Sequence, residues 1–568
     1  MRSLARWQAF SLSMTAVGVL SCSSASPPTA EGQTSTSQDL SVAALDCLTL
    51  PGQGWSMFGH DVCNTRSTLD LGPINPATAG KLAVKWKYQA AGDISATPAV
   101  VGNEVFVPDW GGMLNKIDAR TGQAIWSVSV GALLGTGDAG LGAGDTPPNF
   151  VARDTPLVTP DTVIFGVNRG TLGSFAPQAI LVAVDRATGA LKWQTTVDPH
   201  PTAQITSSPV LNDGKLYVGV ASAEETWAAL PLIVQGASYP CCSFRGSVVA
   251  LDATSGSILW KTYTIDDSAY FQSDGMTPSG WAGAGVWAAP TIDRIRGSLY
   301  VTTGNNYSAP AEATSLPQGD HLESVLSLDL KTGAIKWAQR MTQGDVFTIF
   351  DYLAYGPHGG GPDYDFGSAA NLFHTFMHGV PRDVVGAGQK SGVYWALDPD
   401  TGNVLWNTPV GPGGHLGGIH WGTAVDARRV YVPVNDEMAT SYVLGGTGPQ
   451  AGQSTTVGSW AALDPATGSI EWQVVNPTMS APQNGTSVNG PVSVVNGVVF
   501  GGSMDPNGTM FALNAATGAV LWSFQSGATV YGGPAIADGV VYWGNGYPAG
   551  RLRFGTPGGT LFAFQVAP

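Results

Sequence analysis

From residue 80 onward the chain alternates short apolar runs with turn residues, and one pattern keeps returning. A run such as Ser247–Leu251 (SVVAL) leads into a nine-residue phrase that opens on Asp, carries Thr-Gly or Ser-Gly at its centre and closes on Trp. The phrase occupies Asp118–Trp126, Asp185–Trp193, Asp252–Trp260, Asp329–Trp337, Asp398–Trp406, Asp464–Trp472 and, opening on Asn, Asn514–Trp522. Successive starts lie 67, 67, 77, 69, 66 and 50 residues apart. The Gly tolerates the positive φ of a tight hairpin, so each phrase predicts strand, turn, strand. The Trp then begins an outer strand and can pack flat on a neighbouring unit. Periods of this size predict an all-β radial array, a β-propeller. Gly559–Phe564 (GTLFAF) repeats Gly508–Leu513 (GTMFAL) with no outer strand after it. Lys81–Trp86 reads as an outer strand with no blade before it. Pairing these N- and C-terminal strands gives an eighth blade and a closed ring without an edge.

Composition agrees. The 568 residues include 75 glycines and 38 prolines, the punctuation of many short strands, and only 12% are charged. Hydrophobic residues make up 43%, enough for a large core. With 26 basic against 41 acidic residues the net charge is −15, which repels a phosphate backbone and argues against nucleic-acid binding.

Residues 1–22 read as an export signal: Arg2 and Arg6, an apolar stretch from Ala9 to Leu20, then Ser21 and Cys22. Cys22 sits as in a bacterial lipoprotein box, so the expectation is a periplasmic or outer-surface protein held to the membrane only through lipid. Residues 23–45, rich in Ser, Thr and Pro, read as a flexible tether, and residues 46–568 as the propeller. Beyond Cys22 there remain Cys47, Cys63, Cys241 and Cys242, with three ways to pair. The chain has neither a C-x-x-C-H haem site nor a C-x-x-C zinc pattern.

The repeated phrases, an eight-bladed ring and several further segments together resemble the quinoprotein alcohol dehydrogenases, and among these the polyvinyl alcohol dehydrogenase branch. The segments are Trp55–Asp61 (WSMFGHD) with Asn64–Arg66 (NTR), Ser95–Pro98 (SATP), Pro108–Gly112 (PDWGG), Cys241–Gly246 (CCSFRG), Gly285–Asp293 (GVWAAPTID), Gly361–Gly367 (GPDYDFG) and Gly388–Gly392 (GQKSG). The resemblance implies pyrroloquinoline quinone and a bound cation at the ring centre. Calcium is expected there, with a lanthanide as the alternative. Residue chemistry leads the same way. Alcohol oxidation needs a base and a hydride acceptor, no side chain accepts hydride, and no G-x-G-x-x-G stands in a strand-turn-helix setting.

By the same resemblance Glu224, Asn305 and Asp363 are metal ligands, and Asp363 is also the catalytic base. Asp365, two residues on, points to the same side of an extended segment and adds another metal oxygen. Lys390 matches the basic residue beside the quinone's reactive oxygens, where it stabilises negative charge. Trp287 matches the Trp beneath the quinone ring, Thr206 a cofactor-contacting Thr, and Arg153 a partner for the cofactor's carboxylates. Cys241–Cys242 matches a vicinal pair that caps the quinone, with Cys47–Cys63 then pairing separately. Ser95 stands where methanol dehydrogenases carry a cofactor-binding Glu, and Val488 falls near a Trp of theirs, so methanol is a poor substrate candidate. A secondary or polymeric alcohol is expected, and the glycines of Gly411–Gly422 suggest an open mouth. With no haem motif, electrons must leave to a separate acceptor, a cytochrome c. The competing expectation is a non-catalytic propeller lipoprotein that binds or assembles other molecules; a quinone-binding sensor is a second rival.

Overall fold

The computed structural model describes residue 47 and residues 54–70, 72–136, 150–169, 179–233, 238–356, 360–478, 488–547 and 555–568. The expected export signal, the Cys22 lipid site and the tether lie outside them. No helix among the described residues is long and apolar enough to cross a membrane.

Antiparallel sheets form eight blades. Blade 1 comprises Ala99–Val101, Glu104–Pro108, Met113–Asp118 and Ala124–Ser129. Blade 8 comprises Ala535–Ala537, Val540–Gly544 and Thr560–Val566, completed by Leu82–Gln89 from the other end of the chain. That last pairing runs from Leu82 opposite Val566 to Gln89 opposite Thr560, and closes the ring as expected.

The repeated phrase locks each blade to the next. Its Asp accepts backbone N–H groups two and three residues on, as Asp252 does from Thr254 and Ser255. Its Gly takes φ of +72 to +75° and leaves no Cβ to collide with the Trp of the preceding blade. Each phrase Trp donates its indole N–H to a carbonyl at the start of the next blade's hairpin. These links run from Trp86→Ala119 through Trp472→Ala515, and Trp522→Leu82 closes the circle at 2.9 Å. A Cβ on Gly256 would lie 2.6 Å from Trp193 Cε3 at φ +72°. Gly256→Ala therefore lowers stability by roughly 1–3 kcal/mol, read as a shift in denaturant midpoint.

A feature with no counterpart in the repeat closes the ring from inside. Residues 54–70 run along the innermost strands in chain order. They bond to Val100 of blade 1, Val158 of blade 2, Ile292 of blade 4, Leu372 of blade 5, Val425 of blade 6, Val494 of blade 7 and Gly539 of blade 8. Cys47–Cys63 pins this segment, as expected. Arg66, fully buried, donates to Phe58 O, Val492 O, Thr97, Ser493 and Pro534 O, tying blades 1, 7 and 8 together. Burial lowers its pKa to about 9.

Candidate active site

In an up-and-down blade the segment entering the first strand and the connection from second to third strand lie at the same end. Every expected site residue occupies one of these positions. Arg153, Thr206, Trp287 and Asp363 with Asp365 precede the innermost strands of blades 2, 3, 4 and 5. Glu224, Cys241, Cys242, Asn305 and Lys390 lie in second-to-third connections of blades 3, 4 and 5.

Lys390 is the centre of this end. Its Nζ lies 3.0 Å from Asp363 Oδ2 and 2.7 Å from Asp365 Oδ2, and all three groups are buried. Asp365 Oδ1 accepts the Asn305 backbone N–H at 2.6 Å. Gly304 makes room, because a Cβ there would lie 2.7 Å from Trp287 Nε1 and overlap Asp365 Oδ1. The two aspartates converge by a different route from the one expected. Asp363 has φ +58°, so a left-handed kink, rather than alternation along an extended segment, turns both side chains to Lys390. Burial and the neighbouring Asp365 and Glu225 raise the Asp363 pKa well above the usual carboxylate range against the pull of Lys390. Burial alone would lower Lys390; Asp363, Asp365 and Glu225 outweigh it and raise it, so the ammonium stays charged.

Glu224 and Glu225 divide their tasks. Glu224 is fully buried, and its oxygens accept from Tyr239 Oη (2.7 Å), Ser243 N (2.9 Å) and Phe244 N (2.8 Å). Through these bonds it anchors the Cys241–Cys242 loop. Glu225, which the sequence did not single out, carries the interactions with Lys390, Asp365 and Asp345; burial raises it to about 7.

Cys241 and Cys242 form a vicinal disulfide across a cis peptide. Cys241 is exposed, and Cys242 is half-buried against the blade 3 core. Thr206 Oγ1 donates to Trp287 O at 3.0 Å, and Lys390 Nζ lies 5.8 Å from the Trp287 ring centroid. Arg153 stands among the rings of Trp110, Trp421 and Tyr547, in the same hollow as Ser95 and Thr206. His420 borders this region, with Nδ1 2.8 Å from Asn489 Oδ1. Burial first, then Lys390, lowers His420 to about 3 and keeps it neutral. The glycine-rich stretch does not open a mouth at Lys390. Gly414 N donates to Lys390 O and Ile419 N to Gln389 O, and at Gly418, φ +66°, a Cβ would overlap Lys390 O.

Two polyvinyl alcohol dehydrogenases are similar to this chain along most of its length. The protein from a Pseudomonas species is 32% identical over 85% of this chain and 69% of its own, and that from a Sphingopyxis species is 32% identical over 87% and 73%. The chain belongs to the quinoprotein alcohol dehydrogenases. The family model for the glucose/ethanol/alcohol dehydrogenase β-propeller domain matches residues 242–424 of this dehydrogenase. The model described as outer membrane protein assembly factor BamB matches residues 77–232 and 457–552. Among solved structures, quinohemoprotein alcohol dehydrogenase from Comamonas testosteroni shares the fold with a TM-score of 0.64 at 22% identity, covering 90% of this chain and 80% of that one. A europium-containing methanol dehydrogenase does so with a TM-score of 0.64 at 17% identity, covering 91% and 98%.

The central residues of the dehydrogenase suit a cation. Glu225 Oε2, Asn305 Oδ1 and Asp363 Oδ1 are all shielded from solvent with no hydrogen-bond donor. Oxygen acceptors left this way are costly unless a proton, a water or an ion satisfies them. They are also the hard donors that calcium and lanthanides take. Asn305 cannot turn its amide nitrogen inward, since Nδ2 already donates to Asn306 O and Phe347 O at 2.9 Å each. The indole N–H of Trp287 is likewise buried without an acceptor.

Proposed function

We propose that Trp287 and Arg153 would help hold pyrroloquinoline quinone at the ring centre, that Glu225, Asn305, Asp363 and Asp365 would hold a cation, and that the enzyme oxidises secondary alcohols carried on a polymer. The observation that carries this reading is the set of donorless oxygens from three successive blades around one buried lysine. In this reading Glu225 takes the ligand position expected of Glu224. Asp365 Oδ1 is committed to Asn305 N, which leaves a cation at most the Oδ2 shared with Lys390 and favours calcium over a lanthanide. The polymeric substrate rests on the similarity to polyvinyl alcohol dehydrogenases.

When bound, the metal-activated quinone supplies the hydride acceptor. Asp363 supplies the base: its Oδ1 is buried with no donor beside it and can take a proton. Lys390 keeps a fixed positive charge in a dry site, where it stabilises negative charge most strongly. Thr206 holds the Trp287 backbone, and Arg153 offers its guanidinium to carboxylates. The vicinal disulfide, fixed through Glu224, closes one side. Electrons pass to a separate acceptor, a cytochrome c, and the protein works outside the cytoplasm on a lipid anchor at Cys22.

Titration of cofactor-free protein with pyrroloquinoline quinone, followed by tryptophan quenching with calcium, with a lanthanide and with neither, tests the site. Tight, calcium-dependent quenching is expected. Glu225→Gln should weaken calcium binding by at least about tenfold, while Glu224→Gln keeps the metal dependence. No saturable quenching under any condition would leave a propeller that acts only as a scaffold.

A further inference from the structure

Behind the proposed ligands lie two fully buried carboxyl groups, Glu323 and Asp345. Their side chains face one another, with Thr342 beside Glu323. Neither Glu323 oxygen nor Asp345 Oδ1 meets a donor with hydrogen-bond geometry. The Thr342 hydroxyl accepts from Gln389 Nε2. Glu323 is also held at φ +41°, a conformation imposed by its surroundings. Two dry carboxyl groups in contact cannot both ionise, and one proton between them satisfies both. Burial first, then Asp345, raises the Glu323 pKa to about 11.

Each member of the pair grips a ligand-bearing loop. Glu323 N donates to Gly304 O at 2.9 Å, next to Asn305, and Ser324 N donates to Thr303 Oγ1 at 2.8 Å. Asp345 Oδ2 accepts the backbone N–H of Tyr364, the residue between Asp363 and Asp365, at 2.8 Å. Its carbonyl accepts Asn306 N at 3.3 Å. Gly361 permits the approach, since a Cβ there would overlap Asp345 Oδ1.

We propose that Glu323 and Asp345 share one proton, and that this pair is a positioning device that ties the Asn305 loop to the Asp363–Asp365 loop from behind. The Glu323 O–H donates to Asp345, which leaves Asp345 Oδ2 aimed at Tyr364 N. An ionised pair would repel and release one of the loops. The role in metal binding rests on the central-site reading above; the shared proton does not.

Infrared spectra of the cofactor-free protein and calcium titration by calorimetry test the two parts separately. The difference spectrum between wild type and Glu323→Gln should show one protonated carboxyl C=O band, since the other buried acids contribute equally to both proteins. That variant should bind calcium within about twofold of wild type, because the amide donates in place of the acid, whereas Glu323→Ala should bind at least about tenfold more weakly. Asp345→Asn, which leaves the buried Glu323 protonated but takes away its carboxylate partner, should shift the band and keeps the proposal testable if Glu323→Ala does not fold. A difference spectrum without that band overturns the shared proton. Equal affinities for Glu323→Ala and wild type, or equal losses in the Gln and Ala variants, overturn the positioning role. Wild-type protein that binds no calcium removes the central site and the positioning role together, and leaves the band to decide the proton alone.

Discussion

Asp363→Asn should keep quinone binding and lose turnover by about 10²- to 10⁴-fold, the range for removing a positioned base. Asparagine has nearly the same shape, and its Oδ1 can still face Lys390 or a cation. Lys390 keeps Asp365 at 2.7 Å, so the buried charge is not stranded. What disappears is the ability to take a proton. Quenching titrations should therefore match wild type within a few-fold, and steady-state oxidation of a secondary alcohol with an artificial electron acceptor should collapse. Unchanged turnover would remove Asp363 as the base. Loss of quinone binding together with turnover would make it a structural ligand.

The architecture was legible because the blade-to-blade contact is local in sequence. Asp, Gly and Trp within nine residues form one hairpin, and the hairpin carries its own docking surface. Closure followed from the orphan strand at Lys81–Trp86 and its missing partner after Thr560. The centre was harder to read, for identifiable reasons. Glu224 and Glu225 are neighbours in a short helical turn, where successive side chains point about 100° apart, so only one faces the axis and spacing cannot say which. The Asp363 kink is a single left-handed residue, invisible to an alternation argument. Glycines at Gly413 and Gly418 looked like an opening, whereas they permit close packing on the Lys390 backbone. In sequence the Trp55–Arg66 phrases read only as family markers, whereas their task is to line the inside of the ring. Glu323 and Asp345 carry no periodic signal at all, because their importance lies in facing each other.

Lys390→Met should show how closely the lysine and the cation site depend on one another. In the metal-free protein the ammonium is the only positive group in hydrogen-bond contact with Asp363 and Asp365 among the described residues. Removing one partner of a buried ion pair costs about 3–5 kcal/mol, since the remaining charge must be stranded or neutralised by a proton. The denaturant midpoint without metal should fall accordingly. Calcium should then stabilise the variant more than it stabilises wild type, because a divalent ion supplies the charge that the methionine lacks. Turnover should stay low even when calcium and quinone are saturating, since methionine cannot stabilise negative charge at the reacting oxygens. Midpoint shifts with and without calcium give the coupling directly. Equal calcium stabilisation of both proteins would mean that the metal does not share its aspartates with Lys390, and would place the cation nearer Glu225 and Asn305. A larger shift in the variant would make the lysine a resident counter-charge, holding Asp363 and Asp365 together until the metal arrives.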